Sequence, residues 1–176
     1  MGNPFQGAVS NERCLILIGM AGAGKSTLGA ILARRLGWAH IDTDRLIEAT
    51  FGLPLQDIVD ERGVEPFLRL EEDVVAGMCV RRCVVSTGGS VVYGPRAVKR
   101  LKDSGPVVFL RIGLSTFLSR VGAAQGRGFA RAPGKTMEDV YAERQPLYEA
   151  AADISADTAR FDPQACAEYI LRKVVL

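Results

Sequence analysis

The chain has 176 residues, 48% of them apolar and 24% charged, with a net charge of +2. That length supports one hydrophobic core, and so small a charge spread along the chain gives no sign of the broad basic surface that polynucleotide binding needs. No apolar stretch reaches the length of a membrane span, and four cysteines without a CxxC pair beside a single histidine, His40, leave too few ligands for a zinc site. A reduced, cytoplasmic protein with no nucleic-acid or membrane partner is expected, working as a monomer.

Residues 1–12 are polar and carry Gly and Pro without a charged start and an apolar run, so they read as a disordered leader before a single domain at 13–176. Cys14 to Ile18 is an apolar run of strand length. Gly19-Met20-Ala21-Gly22-Ala23-Gly24-Lys25-Ser26 then matches the GxxxxGK[ST] phosphate loop, and Leu28, Ile31, Leu32 and Leu36 follow at helical spacing up to Gly37. Glycines let consecutive N–H groups turn inward around phosphates, and the helix adds the positive end of its dipole. Lys25 would bridge the β- and γ-phosphates of a nucleoside triphosphate, and the Ser26 hydroxyl would sit on Mg²⁺.

Further strands are expected at Ala39 to Ile41, Cys83 to Val85 and Val107 to Ile112, with a weaker one at Asp153 to Ser155, and a helix at Pro66 to Val80. Alternating strand and helix implies a parallel sheet that binds ligands at the carboxyl ends of its strands. Asp42 and Asp44 follow one such end. Alternating with Thr43, both would face the crevice, one holding a Mg²⁺-bound water and the other accepting the hydrogen bond of a hydroxyl; alternatively Thr43 or Asp44 caps a helix beginning at Arg45. Gly88-Gly89 offers backbone N–H groups to a ligand, or is a plain turn. Gly122 to Lys135, rich in Gly, Ala and Arg, reads as a mobile lid or an ordinary surface loop. Arg144 is placed near a helix end stopped by Pro146, where it would grip a carboxylate or make a surface salt bridge. His40 is not needed as a base, and Cys79 and Cys83 are expected to pack in the core.

The pieces GMAGAGKST, IDTDRLIE, FLRLEEDVV, STGGS and ERQPLY, in this order between Arg13 and Val175, resemble the shikimate kinase family of nucleoside-monophosphate-kinase-like proteins. The resemblance implies a three-layer α/β/α P-loop kinase fold with a five-stranded parallel sheet, a substrate-binding segment at about residues 44–72 and a helical lid at about 120–136. ATP and Mg²⁺ would be used to phosphorylate a small hydroxy acid, with shikimate giving shikimate 3-phosphate, in aromatic amino-acid biosynthesis.

By the same resemblance Lys25 and the amides of Gly22, Ala23, Gly24, Ser26 and Thr27 would hold the phosphates, with Arg127 closing on them from the lid. Ser26 would bind Mg²⁺ directly and Asp42 through water. Arg120 would flank the adenine, and Thr158 to Pro163 would border its edge. Asp44 would orient or deprotonate the acceptor hydroxyl, while Gly88, Gly89, Glu71 and Arg144 would form the acceptor site, Arg144 on the carboxylate.

Two residues depart from the family. Leu68 stands where one of two carboxylate-binding arginines is usual, and Ser90 replaces the third glycine of GGG. Adjacent helical residues point about 100° apart, so Arg69 is no simple substitute. Glu71 would then be free to receive a cation. A hydroxy amino acid such as homoserine, or a sugar acid, is therefore an alternative acceptor, and a non-catalytic nucleotide-binding module is the alternative outside enzymology, opposed by the intact set of Lys25, Ser26, Asp42, Asp44 and Arg127.

Overall fold

The computed structural model describes residues 13–122, 129–160 and 162–176. Five strands, β1 (Leu15–Ile18), β2 (Ala39–Asp42), β3 (Cys83–Ser86), β4 (Val107–Arg111) and β5 (Ile154–Asp157), form one sheet in the order β2-β3-β1-β4-β5. Every pairing is parallel, with Ile16 opposite Val85 on one side and Val107 on the other. Leu15 to Ile18 are at most 1% exposed although successive side chains point to opposite faces, so helices must cover both.

The helices are α1 (Lys25–Leu36), α2 (Thr43–Phe51), α3 (Leu55–Arg62), α4 (Val64–Ala76), α5 (Pro95–Ser104), α6 (Leu114–Gly122), α7 (Met137–Ala151) and α8 (Pro163–Lys173). α1 packs on α8 and β3, and α4 packs on α5. The expected three-layer kinase fold is present. From β1 the chain goes to β2 and β3 on one side and crosses to β4 on the other, which opens a crevice at the carboxyl ends of β1 and β3.

Two apolar clusters form. The larger lies around the sheet, and a smaller one joins Ile47 of α2, Leu55, Ile58 and Val59 of α3, Phe67 of α4 and Ala130. The second cluster gives residues 43–76 a core of their own beside the crevice.

Some sequence expectations need correction. α7 does not stop at Pro146 but runs through it, leaving Arg144 mid-helix. Proline there removes an N–H and crowds the carbonyl of Ala142, yet buried Arg144 and Tyr148 anchor the helix on both sides of it. Cys79 is exposed rather than in the core, and the buried neighbour of Cys83 is Cys14, with the sulfurs 3.3 Å apart. Register explains this: Leu15 pairs with Val84, so the preceding residues also face each other.

Candidate active site

β1 ends at Ile18, and the chain turns through residues 19–24 into α1. Gly22 and Gly24 have φ of 75° and 92°, a conformation that a side chain would strain. No side chain caps α1, so its leading amides stay open to an anion. Lys25 is buried, and its Nζ donates to the carbonyls of Gly19 (2.7 Å) and Met20 (2.8 Å). Burial pulls its pKa down to about 8 against the attraction of Asp44 and Asp42. An arriving polyanion would favour the charged form again.

The Ser26 hydroxyl donates to Asp42 Oδ2 at 2.6 Å, and Asp42 Oδ1 accepts the Asp44 N–H at 3.1 Å. Asp42 itself is thus the cap of α2, which starts at Thr43 rather than Arg45. The expected cap at Thr43 or Asp44 is corrected: Asp42 keeps an extended backbone, and its carboxylate reaches the open amide two residues on. Thr43 Oγ1 instead accepts the Gly88 N–H at 3.0 Å, tying the end of β2 to the end of β3. Asp44 remains in the cleft, its pKa pushed up to about 6 by burial, with Lys25 opposing and Asp42 reinforcing the rise.

Gly88 is required by close approach, since a methyl group there would collide with Glu71 Oε1 and Asp44 Oδ1. Glu71 is 1% exposed, and its Oε1 has no hydrogen-bond partner among the described residues. Burial raises its pKa to about 7, with the Ser90 hydroxyl opposing and Asp44 adding to the rise.

Arg144 is no surface salt bridge. It is 1% exposed, lies against the rings of Tyr93 and Phe129 at 5.1 Å from each centroid, and donates to the Ala130 carbonyl (2.6 Å) and the Tyr93 hydroxyl (3.2 Å). Tyr148, one turn on, donates to the Gly89 carbonyl at 2.5 Å.

Arg120 reaches the loop by donating to the Gly22 carbonyl at 2.6 Å, and Thr158 Oγ1 donates to the Ala23 carbonyl at 3.0 Å. Pro163, first residue of α8, and Thr27 line the same cleft, whose volume is about 770 Å³, within the usual range for small-molecule sites. Arg127 and residues 123–128 of the expected lid lie outside the described residues. Arg69 pairs with Glu65 at 3.1 Å on the exposed side of α4, while Leu68 packs against the smaller cluster. His40 bonds Ser86 at 2.9 Å and serves packing around Gly29. Tyr93, Phe129 and Tyr148 were missed as parts of the site. Only the Tyr148 position, i+4 from Arg144, could have been read from spacing.

A family model for shikimate kinase matches residues 21–175. The chain belongs to the shikimate kinase family. It is 38% identical to the shikimate kinase of Moorella thermoacetica over 160 residues, covering 89% of this chain and 91% of that one. It is 37% identical to that of Mycobacterium avium over 162 residues, covering 90% and 92%. Among solved structures, the shikimate kinase of Acinetobacter baumannii in complex with shikimate superposes with a TM-score of 0.81 at 27% identity, covering 91% of both chains. The Aquifex aeolicus shikimate kinase gives 0.76 at 28% identity, covering 90% and 94%. As a member of the shikimate kinase family, the chain is an ATP-dependent phosphotransferase.

Proposed function

We propose that the chain transfers the γ-phosphoryl group of ATP, in the presence of Mg²⁺, to a hydroxyl of a small carboxylate-bearing metabolite. The carrying observation is the convergence of Lys25, the Ser26–Asp42 pair, Asp44 and Arg144 on one cleft at the carboxyl ends of β1 and β3. Family membership favours shikimate as acceptor. The apolar Leu68 favours a second reading, a hydroxy amino acid such as homoserine.

Each role follows from local chemistry. The open amides of α1 and the Lys25 ammonium hold and neutralise phosphate oxygens. Ser26 Oγ would hold Mg²⁺ directly and Asp42, now joined to it by a 2.6 Å hydrogen bond, would hold it through water, in keeping with an ion that takes one or two protein ligands and fills the rest with water and phosphate. Mg²⁺ when bound neutralises charge on the transferred group. Asp44 accepts the proton of the attacking hydroxyl, and its pKa near 6 suits that task at neutral pH. The guanidinium of Arg144, fixed by two rings and a carbonyl, is preorganised for the acceptor carboxylate. Arg120, Thr158 and Pro163 form the nucleotide end of the cleft.

An ADP-release assay with MgATP across shikimate, gluconate, nucleoside monophosphates and homoserine tests this reading. Acceptor-dependent ADP that vanishes in Lys25→Ala is the expected result. Binding of MgATP with no acceptor-dependent ADP would instead favour a non-catalytic module.

A further inference from the structure

Ser90 follows the glycine pair at the end of β3 and precedes a short 3₁₀ turn, Val91–Tyr93. A serine in that place commonly bonds the open amides of the turn, but the Ser90 side chain makes no such cap. It is 6% exposed, lines the cleft beside Gly89, and turns its hydroxyl to the carboxyl of Glu71. Glu71 stands behind it, 1% exposed and not lining the cleft, and its Oε1 has no donor among the described residues. Leu68 lies three residues before Glu71 on α4, beside it on the same helix face, and supplies no donor. The two departures from the family therefore meet at one carboxyl group. Leu68 takes an arginine away from it, and Ser90 adds a hydroxyl.

What that hydroxyl offers the cleft follows from its one hydrogen and two lone pairs. Against an ionised Glu71 it gives its hydrogen to the carboxylate, and the lone pairs left for the cleft repel an anion. Against a protonated Glu71 it accepts the carboxyl hydrogen, and its own is free for the cleft. The surroundings favour the second arrangement. Burial raises the Glu71 pKa to about 7, with Asp44 of α2 adding to the rise and the Ser90 hydroxyl, Arg144 of α7 and Lys25 of α1 opposing it. An acceptor carboxylate arriving at Arg144 brings a further negative charge and lifts it again. The Arg144 guanidinium flanks the same corner, its Nη1 3.3 Å from where a Gly89 Cβ would stand, one residue before Ser90.

We propose that the Ser90 hydroxyl, held by the Glu71 carboxyl behind it, is the second side-chain donor to the acceptor carboxylate beside Arg144, in place of the arginine that Leu68 removes. Ser90 is then a binding residue. Glu71 is a positioning residue that never touches the acceptor. The inference rests on the phosphotransferase reading above and says how that site holds the carboxylate of an acceptor such as shikimate.

Steady-state kinetics with saturating MgATP and shikimate test this, beside shikimate methyl ester, which keeps the ring hydroxyls and loses the charge. Ser90→Gly is expected to raise KM for shikimate by about ten- to a hundredfold, the worth of a hydrogen bond to a charged group. It should affect the ester about fivefold less, a neutral acceptor being the weaker partner, and leave the Kd of MgATP nearly unchanged. In Leu68→Arg, where a guanidinium serves the carboxylate again, the same change should cost much less, because the two donors are alternatives. KM for shikimate in the native chain should climb as pH rises through about 7, where Glu71 loses its proton. It should stay level in Glu71→Gln, whose amide donates to Ser90 at any pH. An unchanged KM in Ser90→Gly, an equal rise for shikimate and its ester, or an equal loss in the Leu68→Arg background overturns the Ser90 donor and leaves the phosphotransferase reading standing. MgATP binding without shikimate-dependent ADP in the native chain overturns both. Ser90→Gly decides the matter even if Leu68→Arg or Glu71→Gln fails to fold, since the Ser90 backbone, with φ −91° and ψ −8°, suits either residue.

Discussion

Asp44 and Glu71 share one physical predicament with opposite outcomes. Both are acids pushed up by burial, to about 6 and about 7, but Asp44 has Lys25 near it and Glu71 has an oxygen with no partner. Each holds its proton better folded than unfolded, so its contribution to stability is whole below the ordinary values of 3.8 and 4.5 and is lost as pH rises through about 6 and 7. Glu71→Gln in the ligand-free protein is therefore expected to raise Tm at pH 8 by about 2–8 °C and to change it little at pH 4. Equal destabilisation at both pH values would mean that the carboxylate is well satisfied. Asp44→Asn is expected to lower kcat by about two to four powers of ten with MgATP affinity nearly unchanged, as loss of a general base does. Calorimetric Kd beside steady-state kcat checks it, and near-normal turnover would remove Asp44 from the proton's path.

At the scale of elements, what was legible in the sequence was local. The phosphate loop, its strand and its helix lie within residues 15–36, and glycine spacing, one lysine and one serine announce them. Asp42 and Asp44 were legible as a pair, but their division of labour was not. Which carboxylate caps α2 depends on whether the helix starts at Thr43 or Arg45, and propensity does not fix that. Pro146 was misleading for a similar reason. A proline signals a stop, and only the contacts of Arg144 and Tyr148 with distant residues 89, 93 and 130 carry α7 past it. Because Pro146 is itself exposed, Pro146→Ala should restore an N–H at little packing loss and stabilise the fold by about 1–3 kcal/mol. Thermal melting reads this; a lower Tm would show that the ring holds α7 in place.

For the whole molecule, the sheet order puts the loop after β1, the aspartates after β2 and the glycine pair after β3 along one edge, and α7 brings Arg144 to them from far along the chain. Reading strands and helices in sequence is enough for that architecture, because buried parallel strands are continuous apolar runs. It is not enough for the acceptor, since the meaning of Leu68 depends on how Glu71 beside it is buried, with Oε1 left without a donor, a fact of packing. A ligand that binds only the folded chain stabilises it by mass action, so MgATP at a hundred times its Kd should add about 2.7 kcal/mol, and Lys25→Ala should erase that gain.

The most direct measurement is phosphorus NMR of the chain with MgATP and its best acceptor, run beside Asp44→Asn. The account requires one phosphomonoester on the acceptor for each ADP, with both signals lost in the variant. Inorganic phosphate in place of the ester, or an ester formed equally well by Asp44→Asn, would contradict it.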